Sequence, residues 1–126
     1  MINDPEAFLR YFESIHRRTV RDIQALPKPA ESWSPPIGEG EKAWSIKQIV
    51  HHLAESRMYF ARAYCGEGWI YDWPVPSTAA LSQWVPALEA SAIEFRKRIR
   101  HTPSEWLDRR IKMIDTDGTL SGWRIL

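Results

Sequence analysis

Apolar residues recur every three or four positions over three stretches of the chain, the period of a helix that buries one face. In the first, Phe8, Tyr11, Phe12, Ile15, Thr19, Ile23 and Leu26 share a face, with arginines and acids elsewhere. Asn3-Asp4-Pro5 is a start signal, a short polar acceptor followed by proline, and Pro27 and Pro29 stop the pattern, which predicts a helix over 5–26. The second stretch places Ile46, Ile49, Val50, Leu53, Arg57, Phe60, Ala61 and Tyr64 in one sector and predicts a helix over 45–65. Ser45-Ile46-Lys47-Gln48 reads as a capping box, Trp44 precedes it as a staple, and Gly66 and Gly68 end the segment. Arg57 is the anomaly in that sector: it is expected to snorkel to the bundle end in preference to reaching into a polar pocket. The third stretch, with Leu81, Trp84, Val85, Leu88, Ala92, Phe95 and Ile99, predicts a helix over 78–100. Pro86 falls inside it and implies a kink there or a true start nearer Ser82.

Between and after these helices the pattern breaks. Residues 28–40 carry prolines, glycines and serines that cannot hold a regular ladder, and read as a loop pinned by Trp33. Residues 69–76 are too rich in proline for a central strand and too aromatic to be left in water, so they fold back on the bundle or meet a partner. Thr102-Pro103-Ser104-Glu105 offers a second capping box for a short segment over 103–110, and Ile111 to Ile114 alternates as an extended run does. Asp117-Gly118 makes a turn, after which Thr119 or Ser121 caps the start of a last helix near 120–126. That apolar start without a continuation reads as an interrupted element. The expected architecture is therefore all-α: one up-and-down bundle domain of long antiparallel helices over 1–126, with a fourth helix largely missing.

Composition narrows the function classes. With 126 residues, 44% apolar and 26% charged, the chain can bury a core without disulfides or structural metal, so a metal would be there for function. The formal charge of +1 supplies no net field for phosphate backbones, which argues against nucleic acid as a partner. The basic run Arg96-Lys97-Arg98-Arg100 spreads around its helix and reads as a solvated face. No apolar run approaches the ~18 residues of a membrane span, and the N-terminus lacks signal-peptide character, so the expectation is a cytoplasmic protein with no membrane partner. Cys65 is the one cysteine, which excludes an intrachain disulfide and a Cys-x-x-Cys pair.

Chemistry has few candidates. Adjacent residues on a helix point about 100° apart, so His51 and His52 do not grip one ion together, and the period leans only slightly toward His52 facing inward. From the residues alone, a surface or boundary histidine satisfied by water or a neighbour is the preferred reading of each. His52 and Glu55, three apart, share a face as a metal pair would, although that spacing also arises by chance. His16 reads as a partly buried histidine bonded to a carbonyl, and His101 as a cation favoured at a helix C-terminus. Cys65 has no adjacent histidine or basic run and reads as core, while Gly38-Glu39-Gly40-Glu41-Lys42 lacks the spacing of a phosphate loop.

Taken in order, Leu26-Pro27, Trp33-Ser34-Pro35, Trp44-Ser45-Ile46, His52-Leu53-Ala54, Thr102-Pro103-Ser104-Glu105-Trp106 and Gly118-Thr119-Leu120 make the chain resemble the DinB/YfiT-like family of small four-helix bacterial proteins. The resemblance implies that His52 is a ligand of a divalent metal, zinc, nickel or manganese, and carries over to no other residue here. The family's two further histidines, four apart on the last helix, have no counterpart in this sequence. The implied activity is metal-dependent hydrolysis or transfer of a low-molecular-weight thiol to a small-molecule substrate, with the incomplete site leaving this 126-residue form inactive. Trp44, Tyr64 and the segment Trp69 to Trp73 are placed to line the pocket, but aromatic core or dimer interface is the preferred reading of them. The competing reading is a non-enzymatic helical module for self-association or partner binding. A homodimer is expected in either case, because the open face and the aromatic loop both need cover.

Overall fold

The computed structural model describes residues 2–38, 42–71, 74–114 and 120–124, with side chains given up to Arg109. Three α-helices form its body: α1 (Pro5–Gln24), α2 (Ile46–Tyr64) and α3 (Trp84–Ile99). Short 3-10 turns at Lys28–Ser32, Leu81–Gln83 and Ser104–Asp108 punctuate the connections. The chain is thus predominantly helical, as the periodicity requires.

Local chemistry sets the helix ends. The Asp4 carboxylate accepts from the Ala7 amide at 2.8 Å, with Pro5 as the first helical residue. The capping box at α2 is complete, since the Gln48 amide donates to Ser45 Oγ at 3.1 Å and the Ser45 amide to Gln48 Oε1 at 2.8 Å. Pro86 lies in the first turn of α3, where its missing N–H costs no ladder bond, so the helix starts at Trp84 and needs no kink.

The buried face of α1 is rotated from the expected one. Leu9 and His16 are buried, whereas Tyr11 is 58% exposed and Ile15 also faces solvent. On the helical wheel Ile15 and Tyr11 lie ~60° and ~100° to one side of Phe12, while Leu9 and His16 lie on the other. The helix packs on α3 through that second side: the Phe12 and Phe95 rings sit 4.4 Å apart, and Phe8 meets Phe95 at 6.1 Å.

The helices do not alternate up and down. Glu6, Glu13 and His16 of α1 approach Arg100, Arg96 and Glu89 of α3, a descending order that makes this pair antiparallel. Along α2, by contrast, His51, Arg57 and Tyr64 meet Thr78, Ser91 and Thr102, so α2 and α3 run parallel. Two parallel helices need a connection that returns along their length, ~28 Å here. Residues 65–71 and 74–83 belong to it, leaving α2 through Gly66 and Gly68 at φ 82° and 93°. The core follows from this arrangement. One cluster joins Leu9, Met58, Tyr64, Phe95, Ile99 and Leu107, and a second gathers Ala30, Val50, Ala54 and Leu88 around Trp84, whose indole N–H donates to the Thr78 carbonyl at 2.8 Å.

The tail corrects another expectation. Residues 120–124 do not begin a helix: Leu120–Arg124 is strand β2, antiparallel to β1 (Arg110–Ile114), with Ile111 opposite Trp123 and Lys112 opposite Gly122. Ser121 and Gly122 are weak helix formers, whereas pairing with β1 satisfies the backbone of this segment at once. The turn expected at Asp117-Gly118 lies outside the described residues, as do Asp72 and Trp73.

Candidate functional site

The N-terminal half of α2 presents Lys47, Gln48, His51, His52 and Glu55 along one side, at spacings of three and four residues. With Trp44 before the helix and Thr78 from the crossover, they line an open cleft of about 440 Å³. The crossover matters because it brings Thr78, buried, beside His51, which lies 27 residues earlier in the chain: Thr78 Oγ1 and His51 Nδ1 share a hydrogen bond at 3.3 Å. His51 is itself exposed, and this bond fixes its ring.

His52 is half-buried. The Trp44 ring meets it edge-on at 4.7 Å, and Tyr59 lies behind at 6.3 Å. Trp44 leans on His52, and both Trp44 and Ile49 stay about half exposed. Behind the cleft, Tyr59, Phe60, Trp69 and Tyr71 pack ring on ring at 5.0 to 5.7 Å. At those separations the rings fill one another's space and leave no room for a ligand between them. Burial, seconded by the nearby Glu55 carboxylate, raises the Tyr59 hydroxyl above its usual range, so it stays neutral.

The other candidates fall elsewhere. His16 is 1% exposed, stacked on Phe12 at 6.0 Å, with Nε2 3.2 Å from a Glu89 carboxylate oxygen. The contact lies off the hydrogen-bond direction, and neither ring nitrogen completes a hydrogen bond. The carbonyl partner expected for His16 is thus replaced by a carboxylate neighbour. Arg57 chooses the interior over the bundle end: its Nη1 donates to the Leu88 carbonyl at 2.8 Å and to Ser91 Oγ at 3.1 Å, and its guanidinium lies 5.2 Å from the Phe12 ring centroid. Burial, with Arg96 nearby, lowers its pKa to about 10. Cys65 donates weakly to the Arg98 carbonyl, and burial raises its thiol, so it holds little thiolate and stays inert. Tyr64 belongs to the core against Trp106, its hydroxyl 2.7 Å from Thr102 Oγ1. His101 follows α3 as an exposed residue at φ 66°.

As metal donors, an imidazole and a carboxylate three apart suit a borderline divalent ion by chemistry. By number they make a weak site, because among the described residues no group of three His, Cys, Asp or Glu side chains converges. Lys47 and Gln48 were legible as part of the cleft from their helical spacing to His51 and His52; Thr78 was not, since only the parallel crossover delivers it. Among the described residues no helix is long and apolar enough to cross a membrane. No family model matches this chain, and no curated protein or solved structure matches it either.

Proposed function

We propose that this chain is a DinB/YfiT-like protein whose working site is the α2 cleft, with His52 as a donor to a divalent metal and Glu55 as the second donor. The observation that carries the reading is that His52 and Glu55 open onto one cleft together with an oriented second imidazole. Bound there, zinc, nickel or manganese would act as a Lewis acid toward water or a thiol, the chemistry of hydrolysis or thiol transfer. The chain's own residues bind and orient: Trp44 limits the motion of His52, Thr78 fixes His51, and Lys47 places a cation at the rim for an anionic substrate group. Two donors leave the ion loosely held, so the 126-residue form has little or no turnover by itself. Calorimetric titration with zinc, nickel and manganese tests this. One weak site is expected, lost in His52→Ala while the variant still melts cooperatively, because a residue at a cleft wall contributes little to packing. Equal binding by wild type and variant contradicts it.

The exposed Tyr11 and Ile15 on α1, and Trp44 and Ile49 before and on α2, favour a second reading, a non-enzymatic helical module that self-associates as a homodimer.

A further inference from the structure

We infer that the C-terminal half of α3 carries an anion-binding groove, separate from the α2 cleft, that takes a small ligand with two or more negative charges. Ile93, Arg96, Lys97 and Arg100 recur at spacings of three and four, so they share one face of α3. With His101 they line a cleft of about 370 Å³ that contains no acidic residue. Arg96 and Arg100 also border a second cleft, of about 510 Å³, which adds Arg10, Glu6 and Glu13 from α1. The basic run is therefore not spread evenly around its helix. Arg98 alone turns away, into ion pairs with Glu67 and Glu94.

Charge does not balance along this groove. Glu13 holds Arg96 at 2.7 Å and Glu6 holds Arg100 at 3.5 Å, which draws both guanidiniums toward α1. Lys97, Arg10 and His101 have no acidic partner within 4.0 Å among the described residues. The helix dipole favours cations in a last turn, but it does not account for His101, which reaches the groove from beyond the helix. Nor does it account for Ile93, left 60% exposed as an apolar shelf at the head of the groove. His101 holds a left-handed conformation that non-glycine residues rarely adopt, and this puts its ring on the groove wall. Cations one helical turn apart beside an apolar shelf match a small oligoanion, phosphoryl or polycarboxylate, better than a long polymer.

The test is calorimetric titration of the whole chain with pyrophosphate and, separately, with citrate at low ionic strength. One saturable site is expected for at least one probe, and which of the two binds tighter distinguishes phosphoryl from carboxylate ligands. Lys97→Gln should weaken it about tenfold, as the loss of a charged hydrogen bond does. Arg21→Gln, an exposed change outside the groove, should leave it unchanged. His101→Asn, which also lines the groove and tolerates the left-handed conformation, gives the same test should the first variant fold poorly. Absence of saturable binding by both probes, or an equal loss in the Arg21 variant, overturns the inference.

Discussion

Arg57 occupies an apolar sector of α2, and its charge is held there by the α3 backbone and Ser91. Its folded pKa lies below the unfolded value, so the buried charge opposes stability at every pH below about 10 and is relieved only as pH rises through that range. A residue of this kind is replaceable by an apolar one of similar length, since Ser91 Oγ also donates to the Leu88 carbonyl, at 2.8 Å, and keeps it satisfied. Arg57→Met is therefore expected to stay within about 1 kcal/mol of wild type in urea unfolding. Arg57→Ala, which empties the space over Phe12, should cost about 2–3 kcal/mol. The sequence marks Arg57 as anomalous because periodicity exposes a misplaced charge. It cannot choose between the bundle end and the interior, because that choice rests on the Leu88 carbonyl, more than thirty residues away.

At the scale of elements, what is local was legible and what depends on pairing was not. Asp4-Pro5 and Ser45 to Gln48 fix their helix starts with atoms a few residues apart, and both starts are found where those residues place them. Ser45→Ala removes the acceptor for the Gln48 amide and should lower stability by about 1 kcal/mol in thermal or urea melts, with cooperativity kept. An unchanged midpoint would show that the exposed box contributes nothing. The hairpin of β1 and β2 was only half visible. Alternation at Ile111 to Ile114 suggests extension, but the partner Leu120–Arg124 carries apolar residues at positions that suit a helix equally well. Burial of α1 was misjudged by part of a turn for a related reason: its apolar arc is wider than the single helix it packs on, and the pattern does not say which edge stays wet.

For the whole molecule, the parallel run of α2 and α3 is the feature that makes the candidate site. It sends the connection back along α2 and sets Thr78 against His51, so the cleft joins residues that no local motif links. The three long helices were legible from periodicity, whereas the last helix expected near 120–126 was not borne out; direction was not legible either, because apolar faces are the same whichever way a helix runs. The length of the connection and its two glycines were the available signal. The site's central claim is that His52, of the four histidines, is the one that meets a metal. Imidazole-resolved NMR during a zinc titration tests it most directly. His52 resonances should move first and saturate together, with His51 following through the shared cleft and His16 and His101 unmoved. Equal shifts at all four histidines, or a first response at His16 or His101, would contradict the assignment.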